Sequence, residues 1–263
     1  MNAIFLCAGY GTRLHPLTKD KPKPLLPIGG RALLNHLIEK LEAIKSLDQI
    51  VIVSNALFYQ QFVQWKKTIS TKKKITIVND GTSHNDQRLG AIQDLKLGMK
   101  ACIKQSDLMV LAGDNLFDTD LSEFASYVAS KRPAVTVVGV YDVQDRTLAS
   151  KYGLIKTDSS GKIIAFLEKP KDPLTTLASM GIYFFPKETL AYVDRYLQSH
   201  GNPDAPGFYI SWLTDQIDVY AFPFKGTWFD IGDLNSYYKA DEFFKKLVIP
   251  ARFKRESTNL DPR

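Results

Sequence analysis

Two cationic side chains lie ten positions apart near the start of the chain, and each has neighbours that shape its backbone. Arg13 follows Ala8-Gly9-Tyr10-Gly11-Thr12, and Lys23 stands between Pro22 and Pro24. Gly9 and Gly11 leave the backbone free to bend and let a ligand come close to it. A turn of this kind exposes successive N–H groups and forms an anion nest. The Arg13 guanidinium is a planar fork suited to phosphate oxygens. The two prolines restrict the backbone around Lys23. Backbone donors, a guanidinium and an ammonium in one stretch are equipment for a polyphosphate.

Two carboxylates are the matching candidates. Asp114 follows the apolar run Leu108 to Ala112 directly, in Gly113-Asp114-Asn115. Chemistry on a nucleoside triphosphate calls for Mg²⁺, which prefers one or two carboxylates together with phosphate oxygens and water. Asp114 is placed for that, although a turn or helix cap before Leu116 is the plainer alternative. Asp230 sits between apolar neighbours in Trp228-Phe229-Asp230-Ile231-Gly232, where a merely solvated role fits poorly. A structural turn is the alternative there. Glu168-Lys169-Pro170, taken alone, reads as a surface pair.

Other phosphate loops do not fit. No Gly-x-x-x-x-Gly-Lys-Ser/Thr string occurs. A dinucleotide fingerprint needs a third glycine where this chain has Leu14. The strand from Gln49 to Val53 runs into Ser54 and Asn55 rather than an acid.

The elements that must hold these groups alternate. A buried strand is predicted over Ala3 to Ala8, then a helix with Leu33, Leu34, Leu37, Ile38, Leu41 and Ile44 on one face. A strand over Ile50 to Val53, a helix over Ala56 to Ile69, and strands over Lys74 to Val78 and Leu108 to Ala112 follow. Such alternation indicates an α/β fold with a mainly parallel sheet flanked by helices. Ligands of such sheets sit at the carboxyl ends of the strands, so the loops after the first, third and fourth strands should share one pocket. The second half reads as a mixed lobe. Its strands are Ala134 to Tyr141, Tyr152 to Thr157, Ile163 to Glu168 and Met180 to Phe185, with a helix over Lys187 to Ser199. A closing helix over Leu234 to Val248 follows Asp233 as N-cap. No linker or repeat separates the halves. The expectation is one domain over 1–263, with a first lobe to about 130, a second lobe with its closing helix to about 248, and a loosely held basic tail over 249–263.

The chain has 263 residues, 44% hydrophobic and 24% charged, as in ordinary globular proteins. No apolar run approaches a membrane span, no signal peptide is visible, and Cys7 and Cys102 are scattered thiols. A cytoplasmic protein without membrane contact is expected. The net charge of +6 gathers partly at Lys66-Lys67, Lys72 to Lys74, Lys245-Lys246 and Arg252 to Arg255. These read as solvated helix ends and a tail rather than a nucleic-acid surface.

In this order, the motifs resemble those of the sugar-phosphate nucleotidyltransferases, among them glucose-1-phosphate thymidylyltransferase. The resemblance covers roughly Met1 to Tyr238. It implies a Rossmann-like nucleotide-diphospho-sugar transferase fold with a nucleotide lobe and a sugar lobe. It implies that Ala8, Gly9, Gly11 and Thr12 wrap a triphosphate, that Arg13 and Lys23 bind its phosphates, and that Asp114 and Asp230 together hold Mg²⁺. It makes Arg13, Lys23 and Asp114 the catalytic group. It places Asn115, Gly153, Glu168, Lys169 and Gly181 around a sugar 1-phosphate. Pro24 replaces a glutamine of the thymidylyltransferase. The base-reading residues are placed only as candidates at Asn79, Arg88 or Gly90. The implied reaction joins a nucleoside triphosphate, UTP or dTTP favoured, to a hexose 1-phosphate, releasing pyrophosphate. Mannose-1-phosphate guanylyltransferases, phosphocholine cytidylyltransferases and non-catalytic nucleotide-sugar sensors are the alternatives. The thymidylyltransferase continues beyond the final helix, so a monomer or homodimer is expected here.

Overall fold

A computed structural model of the chain describes residues 1–131 and 133–256, with residues 248–256 as helix backbone only. Apolar, mostly β-branched runs form β1 (Asn2–Leu6), β4 (Gln49–Ser54) and β5 (Lys74–Asn79), with the two-residue strands β2 (Pro27–Ile28) and β3 (Arg31–Ala32) between them. Helices α1 (Leu33–Glu42) and α2 (Tyr59–Lys66) lie in the same stretch. The predicted apolar face of α1 is buried at Leu33, Leu34, Leu37, Ile38 and Leu41. After α3 (Ala91–Lys100) come β6 (Leu108–Ala112), β7 (Asn115–Phe117), α4 (Ser122–Ser130) and β8 (Thr136–Asp142). The short α5 (Arg146–Ala149) leads to β9 (Gly153–Thr157), β10 (Ile163–Glu168) and β11 (Leu177–Phe185). The chain continues through α6 (Ala191–Gln198), α7 (Pro206–Thr214), β12 (Val219–Pro223), β13 (Trp228–Asp230) and α8 (Leu234–Glu256).

The result is an α/β fold around a mixed nine-stranded sheet, ordered β10-β9-β11-β6-β1-β4-β5, with β8 joined to β11 and β12 to β8. β6, β1, β4 and β5 run parallel, as the first half of the chain predicts. Beyond β6 the pairs β6–β11, β11–β8 and β9–β10 are antiparallel. Alternation along β1 splits the core between the two faces. Ala3, Phe5 and Cys7 pack with α1, α2, α4 and α8, while Ile4 packs with α3, α6 and α7. The second half therefore shares both apolar layers with the first.

Several boundaries differ from expectation. The first strand stops at Leu6, because Cys7 and Ala8 already bend into the glycine turn. The second helix is confined to Tyr59–Lys66, and 187–199 divides into a 3₁₀ turn and α6. Asp233 caps α8 as predicted, its Oδ1 accepting from the Ser236 N–H at 2.7 Å. α8 continues past the predicted end at Val248 to Glu256. The rest of the predicted tail, 257–263, lies outside the described residues. β2, β3, α3, β7, α4, α5, α7 and β12 have no counterpart in the sequence reading.

Candidate active site

The parallel strands end together, and three loops at their carboxyl ends meet in a cleft of about 330 Å³. The loop after β1 supplies Ala8, Gly9 and Gly11, the loop after β5 supplies Arg88 and Gly90, and the loop after β6 supplies Gly113 and Asp114. Lys23 and Pro24 reach the same cleft from a 3₁₀ turn. These are the loops after the first, third and fourth main strands of the sequence reading. Gly11 takes φ +62° as it opens the turn Thr12–Leu14, a conformation that side chains other than glycine adopt at a cost.

The cations and carboxylates converge. Lys23 Nζ donates to Asp114 Oδ2 at 2.9 Å, with side chains 11% and 35% exposed. Asn115 Nδ2 donates to Asp114 Oδ1 at 3.0 Å. The Asn115 amide is itself held by the Trp228 indole, whose N–H donates to Oδ1 at 2.7 Å. Indole nitrogen only donates, so this contact fixes which end of the amide faces Asp114.

Asp230 reaches the group through strand pairing, not sequence proximity. β13 runs antiparallel to β7 and sets Asp230 opposite Asn115, and the Ile231 N–H bonds the Asp114 carbonyl at 3.0 Å. Asp230 Oδ2 and the Arg13 guanidinium both border Gly232, where an added Cβ would lie 3.5 Å from one and 3.7 Å from the other.

The electrostatics fit this crowding. Burial, and next the Asp114 charge, push Asp230 up to about 6, against Lys23, Arg13 and Lys169. Burial alone would raise Asp114 too, but the Lys23 ammonium, its hydrogen bond and Arg13 hold it below the usual carboxylate range. Two carboxylates that repel each other, ringed by cations, form a hard-oxygen donor set. No group of three or more metal-ligating side chains exists among the described residues. Two carboxylates are what Mg²⁺ uses when phosphate and water complete its shell, so these residues fit that ion.

The second predicted group borders the first. Gly153 opens β9, where an added Cβ would lie 3.0 Å from Glu168 Oε2. Gly181, in a bulge of β11, stands similarly 3.2 Å from Asn115 Nδ2. Lys169 adopts φ +46° and pairs with Glu168 at 3.5 Å. Such a backbone state in a lysine costs of order 1–3 kcal/mol and marks a position held by its surroundings.

Other predicted residues stand apart or are already engaged. Asn79 does not line the cleft; its Oδ1 accepts from the Gly81 N–H in a local turn. Thr12 and Arg13 are exposed and stand outside the residues lining the cleft. Arg88 lines the cleft but donates twice to Asp204, at 2.8 and 3.1 Å. Gly90 caps α3 at φ +89°, where a Cβ would meet the Pro203 carbonyl at 2.6 Å, so only glycine lets α3 start there. The sequence reading passed over Asp94, Asp204 and the role of Trp228. Asp94 carried a readable signal, as an acid beside Ile92 and Leu95 on what would be an apolar helix face. A larger surface cleft of about 840 Å³, beside α1 and Phe244, contains none of the predicted residues.

A doubly covered α/β sheet whose carboxyl edge gathers two cations and two carboxylates has the charge set that phosphate transfer calls for. Residues 2–246 match the model of the nucleotidyl transferase family, and the chain belongs to that family. It is 30% identical to a protein of Sulfolobus acidocaldarius described as a candidate mannose-1-phosphate guanyltransferase, over 100% of this chain and 68% of that one. It is likewise 30% identical to a bifunctional GlmU of Methanocaldococcus jannaschii, over 88% of this chain and 51% of the relative. The chain thus spans between half and about two thirds of the length of these two relatives. The crystal structure of a candidate glucose-1-phosphate thymidylyltransferase of Bacillus anthracis superposes with TM-score 0.78 at 22% identity, covering 93% of this chain and 95% of that one. UTP-bound UGPase of Acinetobacter baumannii superposes at 0.75 with 21% identity, covering 99% of each. No helix among the described residues is long and apolar enough to cross a membrane.

Proposed function

We propose that this chain is a sugar-1-phosphate nucleotidyltransferase acting as one unit, with a nucleotide lobe to about residue 130 and a sugar lobe beyond. A phosphate oxygen of a hexose 1-phosphate attacks the α-phosphorus of a nucleoside triphosphate. The new P–O bond forms as the bond to the departing pyrophosphate breaks in line with it. The chief obstacle is the approach of two anions, so positioning and charge neutralisation do most of the catalysis.

Lys23 and Arg13 neutralise the triphosphate and the charge that develops at the reacting phosphorus. Mg²⁺ held by Asp114 and Asp230 would add further neutralisation there. Asn115, fixed by Trp228, keeps the Asp114 carboxylate oriented. Lys169, from the sugar lobe, draws in the incoming phosphate, and Glu168 accepts from sugar hydroxyls beside Gly153 and Gly181. No protein nucleophile is required.

The observation that carries this reading is the β7–β13 pairing, which sets Asp230 beside Asp114 and the cations of the first loop. Pyrophosphate release, measured with Mg²⁺ across a panel of triphosphates and sugar 1-phosphates, tests it. Turnover with at least one pair is expected. Nucleotide-sugar binding without release on the whole panel would favour a sensor instead. The base is a separate question, since the wall it would face carries a carboxyl that no motif pointed to.

A further inference from the structure

The cleft has two chemically different ends. Lys23, Asp114 and the Gly9–Gly11 turn gather what takes phosphate. Leu6, Ala8, Gly90 and Ala91 line a slot between the end of β1 and the start of α3, with the Arg88–Asp204 pair beside it. The flat, apolar part of a nucleotide is its base, so the slot is the base end.

Asp94 lines this cleft from the first turn of α3 and is only 6% exposed. Its Oδ1 is buried without a hydrogen-bond partner. Among the described residues, the titratable groups whose charge couples to it are acids: Asp80 from the loop after β5, and Cys7 and Tyr10 from the turn after β1. Arg88, across the cleft, is engaged by Asp204. Burial, with Asp80 adding to it, pushes Asp94 up to about 7.

A buried carboxyl without donors is costly, and the group that relieves it must bring N–H bonds. Phosphate and sugar phosphate are anions and are repelled. Uracil and thymine set one N–H between two carbonyls, so a carboxylate facing them meets acceptors on both sides. Adenine and cytosine set an amino group beside a ring acceptor. Guanine presents N1–H and N2–H side by side, one for each carboxylate oxygen, and two such bonds favour the ionised form of the acid.

We propose that Asp94 reads the base, and that the nucleotide bound is a guanine nucleotide whose N1–H and N2–H donate to its carboxylate. This rests on the transferase reading for the presence of a nucleotide in the cleft. It departs from the pyrimidine preference that the motifs imply.

Equilibrium binding of GTP, ITP, UTP and dTTP with Mg²⁺, to the wild type and to Asp94→Asn, tests it. GTP is expected to bind tighter than UTP by on the order of 10- to 100-fold. ITP lacks the 2-amino group and should lose about tenfold of that. Asp94→Asn should lower the GTP-to-UTP ratio by about tenfold or more. UTP or dTTP binding as tightly as GTP overturns the proposal, as does an unchanged ratio in the variant. The GTP–ITP comparison needs no variant, and equal affinities there also overturn it. Pyrophosphate release with UTP but not GTP overturns this assignment alone. Failure of every nucleotide to bind overturns the transferase reading and this proposal together.

Discussion

Replacing Asp94 with asparagine should change how stability depends on pH. The folded protein holds this carboxyl up to about 7, against 3.8 for an ordinary aspartate. Ionising it in place therefore costs on the order of 4 kcal/mol. The sign follows from proton binding. Between pH 4 and 7 the folded state holds more protons at this site than the unfolded state, so wild-type stability falls as pH rises. The loss is absent below the ordinary value, grows through pH 4–7 and is constant above. Asparagine has no such transition. Cys7 and Tyr10, which burial and the Asp94 charge push further up, stay protonated from pH 5 to 8 in both proteins. Moving from pH 5 to pH 8 should therefore shift the balance towards Asp94→Asn by roughly 2–3 kcal/mol. In a chain of this size that is roughly 5–10 °C in relative Tm. Urea denaturation of both proteins at each pH, without nucleotide, reads the difference directly. A wild-type-minus-variant difference that stays flat from pH 5 to 8, or grows in favour of the wild type, would mean that the fold does not hold Asp94 protonated.

Three other substitutions separate the roles assigned around the reacting phosphorus. Lys23→Ala should lower turnover at saturating substrates by about 10²-fold or more, since Lys23 is the cation bonded to Asp114; near-normal kcat would remove it from the mechanism. Asp230→Asn should raise Tm, because it relieves a buried acid pushed up by burial and Asp114, while cutting Mg²⁺-supported turnover by about 10²-fold. Trp228→Phe should lower kcat about five- to tenfold through loss of the indole hydrogen bond to Asn115 Oδ1. Steady-state kinetics and thermal melts on the same preparations check all three.

What could be read from the sequence follows from how local each signal is. The glycine turn, Arg13, Lys23 and Asp114 are legible because an apolar run followed by glycine marks a strand end, and parallel strands end on one edge. The meeting of Asp230 with Asp114 is different. β7 and β13 are short, and nothing in either three-residue strand announces its partner more than a hundred positions away. Family resemblance supplied that pairing, and the register explains it. Asp94 belongs to no motif; Ile92, Leu95 and Met99 keep helical spacing around it, but only the fold shows this acid buried at the cleft. Asn79 accepts the Gly81 N–H in a local turn of the kind Asn79-Asp80-Gly81 signals, and it stands outside the residues lining the cleft. α7 begins at Pro206 and is apolar nearly all round, so it lacks the polar face that marks a surface helix.

The central claim is that one divalent ion is gripped by two acids from distant parts of the chain beside the triphosphate. A crystal grown with a nucleoside triphosphate and Mn²⁺ in place of Mg²⁺ tests it through anomalous scattering. A single strong peak is expected about 2 Å from carboxylate oxygens of both Asp114 and Asp230, against the bound phosphates. A metal peak that leaves either aspartate unligated, with the triphosphate in place, would contradict it.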